Sequence, residues 1–288
     1  MQHTVLLFYK YTQITDPKAL MKSQRALCEE LDIKGRIIIA SEGINGTVAG
    51  IPEDIAKYIQ QTKSIAFLND LEIKSSISQE QVFPKLSVKV RDEIVTLGQK
   101  KAGTDVSLAN KAQYIEPEEL LALYESDQDF IILDARNTYE AKMGKFKNAL
   151  IPPIDNFKEF PDFVESISDQ KDTEIVTYCT GGVRCEKASA YLREQGFSKV
   201  RQLHGGVHVY AEKTGGKYFE GELFVFDKRL QMKVNTVNPT TVASCEYCGK
   251  KITRFIDCSD KTCPVLFNCC KSCEQTHSAL CESHFKTS

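Results

Sequence analysis

Apolar positions in the first part of the chain change period in a regular order. Residues 5–10 read as a strand, 17–31 repeat at helical spacing, and 36–40 form a short buried strand. Asp16 is placed to cap the helix and Pro17 falls in its first turn. Residues 41–46 read as a turn and 47–50 as a returning strand. A second helix runs over 51–68 with Pro52 near its start, and 71–75 complete the order βαββαβ. That order predicts a small α+β sandwich of ferredoxin-like type over residues 1–98, with an additional strand at 86–90.

Residues 99–114 have little period and contain Gly103, Asp105, Ser107 and Asn110, so they read as a linker or an ordered crossover on the next domain. Over 115–221 strands and helices alternate. The helices are 117–124, 160–167 and 186–195, the last stopped by Gly196, and the strands are 130–134, 174–178 and 200–203. The expected fold is α/β, a mostly parallel sheet with helices on both faces. Functional residues then belong at the carboxyl ends of the strands, where Asp134 and Cys179 fall. A connecting segment, 222–243, leads to a small cysteine-rich module, 244–288.

The net charge of −2 excludes a broadly basic nucleic-acid binder while leaving room for a local basic groove. Lys85, Lys89, Arg91, Lys100 and Lys101 give one stretch such a bias, and Lys89 and Arg91 share a face if 86–90 is a strand. This first domain reads either as a scaffold or as a substrate-binding module. No apolar run reaches the ~18 residues a membrane span needs. Residues 1–10 read as a strand and not as a signal peptide, so a cytoplasmic protein is expected. Nothing in the sequence fixes an oligomeric state.

The 11 cysteines are unevenly placed: Cys28 stands alone, Cys179 and Cys185 flank a glycine loop, and the rest lie in the tail. A stapled secreted protein would not leave two large cysteine-poor parts, so the tail reads as metal-binding, with structural zinc as the leading ion. Cys245 and Cys248 pair by spacing with Cys270 and Cys273, leaving Cys258, Cys263, Cys269 and Cys281 for a second site, with His277 and His284 as substitutes. Free thiols, late disulfides and an iron–sulfur cluster are the alternatives.

Cys179-Thr180-Gly181-Gly182-Val183-Arg184 lies between a strand and a helix start. Free amide N–H groups and the helix dipole there favour a thiolate, Gly181 and Gly182 let the amides converge, and Arg184 adds fixed positive charge. The expectation is an ionised sulfur reachable at the mouth of an anion cradle. Cys185 reads as a core residue or as a resolving thiol. Asp134 and Arg136 read either as a turn cap and ion pair or as part of the pocket wall, and His204 is a weak candidate base ahead of a close Gly205-Gly206 turn. Four residues separate Cys179 from Arg184, one fewer than in cysteine-dependent phosphatases, so the ring suits sulfur or a small anion.

This part resembles the rhodanese domain in its loop length, in Asp134 and Arg136, and in Glu140 and Gly144 just after them. The 42–47 turn, the 134–137 segment, the 179–185 loop and Phe224 to Arg229 recur in order in the rhodanese-domain tRNA uridine hydroxylases, so the resemblance covers nearly the whole chain. It implies installation of the 5-hydroxyl on the wobble uridine, position 34, with molecular oxygen as co-substrate and Cys179 as the essential residue. Lys and Arg side chains of the first domain would hold the anticodon arm by its phosphates. Two chemistries stay open: Cys179 adds at uracil C6, or it carries an oxidised or persulfidic sulfur. No flavin or nicotinamide motif is visible. Plain sulfur transfer from a Cys179 persulfide is the competing enzyme reading, and an inert adaptor is the non-enzymatic one.

Overall fold

The computed structural model describes residues 2–99, 106–263 and 265–285. Lys100, Lys101, Gly103 and Asp105 lie outside them. The chain separates into two compact units: one of residues 1–108 with 227–229, the other holding the remainder.

In the first unit β1 (His3–Tyr11), α1 (Pro17–Glu30), β2 (Lys34–Ala40), β3 (Gly43–Gly50), α2 (Pro52–Lys63), β4 (Ile73–Ser78) and β5 (Leu86–Val90) follow in order. They form one sheet in the order β4-β1-β3-β2-β5, antiparallel except for β2 beside β5. This is the expected ferredoxin-like arrangement with β5 added at the edge. Asp16 caps α1 by accepting the Ala19 N–H at 2.9 Å. Leu6, Phe8, Ile37, Ile39, Ile44, Ile55 and Tyr58 meet in its apolar core.

Two expectations shift. The turn is only Ser41-Glu42, because Gly43, Asn45 and Gly46 are strand residues paired on both sides with β1 and β2. Pairing in the middle of a sheet overrides their weak β propensity. The second helix ends at Lys63, and Ala66–Leu68 form a separate 3₁₀ turn that buries Leu68.

The second unit carries β6 (Gln113–Ile115), α3 (Pro117–Glu125), β7 (Ile131–Asp134), α4 (Thr138–Met143), β8 (Gly144–Phe146), α5 (Phe160–Ser166), β9 (Ile175–Tyr178), α6 (Val183–Glu194), β10 (Val200–Leu203), α7 (Gly206–Thr214) and β11 (Phe219–Gly221). The main sheet, β6-β10-β9-β7, is parallel throughout. Residues 113–114, assigned to the linker from sequence, open this sheet as a strand too short to show a period. The preceding residues lie on α6, where the Ala112 N–H donates to Ser189 Oγ at 3.1 Å. Helix α6 starts at Val183, earlier than expected, and α7 and the β8–β11 pair had no sequence signal.

Beyond β11 come a short hairpin of β12 (Leu223–Phe224) and β13 (Gln231–Met232), then β14 (Phe255–Asp257), β15 (Leu266–Asn268), α8 (Lys271–Thr276) and α9 (Glu282–Phe285). Phe255, with Leu266 beside it, packs on Met143 of α4.

Candidate active site and cysteine clusters

β9 ends at Tyr178 and delivers Cys179 to the carboxyl edge of the parallel sheet. The chain turns through Gly182, at φ +102°, directly into α6. The left-handed turn points first-turn amides back at the sulfur: the Gly182 N–H donates to Cys179 Sγ at 3.1 Å. Cys179 is fully buried. Burial works to raise its pKa, but the Cys185 thiol, the Arg184 charge and the amides of Arg184 and Gly182 outweigh it and lower the value to about 5. The direction of that shift is the one expected from the loop's amides and Arg184; the position is not, because the sulfur lies inside the protein rather than at the mouth of the loop.

The burial has a visible cause. The start of α7 closes over the loop, with the Val207 N–H on the Cys179 carbonyl at 3.0 Å and the His208 N–H on the Thr180 carbonyl at 3.1 Å. Gly206 permits this approach: a Cβ there would stand 2.5 Å from the Cys179 carbonyl oxygen. Thr180 Oγ1 is buried with no hydrogen-bond partner among the described residues. Cys185 is also fully buried, and its thiol is held neutral by burial and by its neighbour Cys179.

Arg184 is held by an acid from outside the loop. Its guanidinium makes two bonds to the Glu140 carboxylate, at 2.6 and 2.8 Å, with both groups nearly or fully buried. Glu140 Oε2 also accepts the Asn137 N–H at 3.1 Å, closing the cap of α4. The pair fixes where the positive charge sits, and that charge favours the thiolate.

Asp134 and Arg136 form a second, fully buried pair, at 2.8 and 2.7 Å. Tyr178 donates to Asp134 at 2.6 Å, and Arg136 donates to the Gly144 carbonyl at 2.8 Å. Arg136 lies over the Tyr178 and Phe219 rings. Of the two readings from sequence, the ion pair is the one seen: the residues hold each other and the frame below the loop, while Arg136 Nη1 is buried with no hydrogen-bond partner among the described residues. His204 is 2.7 Å from Glu116 and packs on Tyr114, so its ring serves the β6 edge.

In the first unit a cleft of about 400 Å³ is lined by Lys85, Lys89 and Arg91, with Arg36, Phe83 and Pro84. Arg36 pairs with Ser87 and Ile38 with Lys89 across β2 and β5, so the charges share a face. Arg36 is the added member: it is exposed between buried Gly35 and Ile37, and the alternation along β2 that places it there is a sequence signal.

The tail holds two groups whose ligand atoms lie within 4.8 Å of one another: Cys245, Cys248, Cys270 and Cys273, and Cys258, Cys263, Cys281 and His284. The first grouping is the one its spacing suggested. In the second, His284 stands where Cys269 was expected. Cys269 is fully buried, with its thiol on the Cys270 carbonyl at 3.5 Å and near Cys245 of the first group, so it is not part of the second. His277 stacks on Tyr247. These clusters can hold a metal.

A parallel α/β domain with a buried thiolate between strand and helix is of the rhodanese type, and the family comparisons agree. Residues 116–213 match the rhodanese-like domain, 3–94 the UPF0176 acylphosphatase-like domain, and 220–284 the rhodanase C-terminal family. The chain is 39% identical to the tRNA uridine(34) hydroxylase of Cytophaga hutchinsonii, over 99% of this chain and 90% of that one. It is 43% identical to the tRNA uridine(34) hydroxylase of Listeria welshimeri, over 91% and 82%. A solved rhodanese-like domain from Anabaena is 27% identical, covering 38% of this chain and 78% of that one, with a TM-score of 0.32. The chain belongs to the tRNA uridine(34) hydroxylase family. Among the described residues, no helix is long and apolar enough to cross a membrane.

Proposed function

We propose that this enzyme converts the wobble uridine of tRNA, position 34, to 5-hydroxyuridine in the cytoplasm, with Cys179 as nucleophile. The full-length relationship to the hydroxylases carries the reading, and the ionised sulfur supplies its chemistry. The thiolate adds at uracil C6, and the electron pair moves toward the carbonyl, leaving C5 nucleophilic. With dioxygen as oxygen source and an external two-electron donor, C5–H becomes C5–OH, the second oxygen leaves as water and the sulfur is released. Arg184, held by Glu140, keeps the sulfur ionised between turnovers. Thr180 Oγ1, without a partner among the described residues, and the backbone of Gly181 are offered to the bound base, while Gly182 shapes the turn and gives its N–H to the sulfur. Asp134 and Arg136 act as positioning residues for Tyr178 and the start of β8.

The anticodon base is unpaired, so withdrawing it from its stack costs little. Lys85, Lys89 and Arg91, with Arg36, supply phosphate contacts for the anticodon arm, which makes residues 1–98 the RNA-holding part. The cysteine-rich module carries structural zinc, the ion that suits thiolate-rich donor sets. Nucleoside mass spectrometry of tRNA from cells expressing wild-type or Cys179→Ser protein tests the function: 5-hydroxyuridine derivatives vanish in the variant. The low thiol pKa in a rhodanese-type loop also favours sulfur transfer. Unchanged nucleosides with Cys179-dependent thiosulfate turnover would select that alternative.

A further inference from the structure

The order of the tail ligands along the chain carries more than their number. Cys245 and Cys248 belong to the first cluster, Cys258 and Cys263 to the second, Cys270 and Cys273 to the first again, and Cys281 and His284 to the second. We infer that the C-terminal module is a two-ion cross-brace, with one zinc held by four cysteines and the other by three cysteines and His284. This rests on the zinc reading above and specifies the count, the ligands and their interleaving.

The donor geometry fits. Four ligands about 2.3 Å from a tetrahedral zinc place neighbouring sulfurs roughly 3.8 Å apart. Cys248 and Cys270 are 3.8 Å apart in one cluster, and Cys263 and Cys281 are 3.8 Å apart in the other. A disulfide needs about 2.05 Å, so these pairs are not crosslinks. Backbone N–H groups support the sulfurs: Cys270 N–H points at Cys245 Sγ at 3.4 Å, Cys273 N–H at Cys270 Sγ at 3.5 Å, and Cys281 N–H at Cys258 Sγ at 3.4 Å. Outer contacts of this kind orient ligands and tune the ion. His284 Nδ1 lies 3.2 Å from Cys281 Sγ, and its Nε2 is 3.8 Å from Asp260, a carboxylate placed to orient a ligating imidazole.

The interleaving has a physical consequence. The apolar residues between the clusters are few, and Phe267 is the main fully buried one. So short a segment has little core of its own, and ion binding supplies the missing folding energy. Each ion ties two separated stretches: Cys258 and Cys263 lie inside the loop closed by the first ion, and Cys270 and Cys273 inside the loop closed by the second.

Metal analysis of the full-length chain, purified without chelator, tests this. Two zinc ions per chain are expected. In His284→Ala one of the two becomes roughly 100-fold weaker, or more, as read by transfer to a chromogenic chelator. His284→Cys restores both to the tightly held class, and Cys269→Ser leaves both in place. A single ion per wild-type chain overturns the two-site assignment. Loss of an ion in Cys269→Ser with none in His284→Ala overturns the ligand set. Absence of zinc, with all tail thiols titrating freely or with iron and acid-labile sulfide present, overturns the zinc reading and this inference with it.

Discussion

Cys28 and Cys179 are equally inaccessible, each with no exposed surface, yet their surroundings push the two thiol pKa values in opposite directions. Cys28 lies on α1 in the apolar core of the first unit, where burial, followed by the charge of Glu29, pushes its pKa up to about 12. Cys179 suffers the same desolvation and falls to about 5, because a thiol, a guanidinium and two amides face its sulfur. Exposure therefore says little about which cysteine is reactive. What separates the two regions is the supply of fixed donors, and only the strand-to-helix turn after β9 provides it.

The largest effect expected from this contrast is on turnover. Cys179→Ser lowers 5-hydroxyuridine formation by on the order of 10³-fold or more. Cys28→Ser leaves the modification intact and costs about 1–3 kcal/mol of stability, because a hydroxyl is buried among apolar groups. Urea unfolding and tRNA nucleoside analysis read both. Wild-type modification by Cys179→Ser would remove the functional meaning of the comparison.

Next in size is the ion pair that places the positive charge. Glu140→Gln leaves Arg184 buried with half its partner and costs about 3–5 kcal/mol, visible as a lowered unfolding midpoint. Arg184→Gln removes the charge itself, so the Cys179 pKa rises from about 5 toward that of an ordinary thiol. Peptide-resolved iodoacetamide labelling across pH follows this. An unshifted labelling midpoint would mean that the amides alone hold the thiolate.

The donor-rich turn was legible in sequence because its parts are contiguous: a strand, a cysteine, two glycines and an arginine within one short segment. The ferredoxin-like order was legible for a similar reason, since Asp16-Pro17 and the changes of period are local signals. What stayed hidden is non-local. Nothing near Arg184 announces that Glu140, 44 positions away, takes its guanidinium. The residues of α7 gave no clear period, so the closure over Cys179 and the burial it causes could not be foreseen. From their place at a strand end, Asp134 and Arg136 fit an ion pair and a pocket wall equally well. Only the atoms that accept and donate around them reveal the buried pair. The tail repeats the lesson: spacing found the first cysteine cluster, but choosing His284 over Cys269 required knowing which way each side chain points.

The pH dependence of folding sharpens the contrast further. The Cys179 pKa is lowered on folding, so its contribution is fully present above the unfolded thiol value of about 8.5 and is lost as pH falls through about 5. Cys28 is raised, so its contribution is present below about 8.5 and is lost as pH climbs toward about 12. Denaturant titrations of wild type and Cys179→Ser therefore diverge in slope between about pH 5 and 8.5, whereas wild type and Cys28→Ala diverge only above it. A difference between wild type and Cys179→Ser that stays flat from pH 5 to 8.5 would mean that the sulfur is protonated in the folded protein.

The smallest effect tests the neutral member of the donor set. Cys185→Ala removes the thiol that supports the Cys179 sulfur and leaves Arg184 and the amides in place. The cavity costs about 1 kcal/mol. The Cys179 pKa rises, by less than in Arg184→Gln, because the guanidinium brings a full fixed charge that acts on the sulfur through space, whereas the thiol lends one weak S–H donor. The labelling midpoint should thus fall between those of wild type and Arg184→Gln. If it moved further than in Arg184→Gln, the weak thiol donor would outrank the guanidinium, and the low pKa would belong to a coupled Cys179–Cys185 pair instead of an anion cradle.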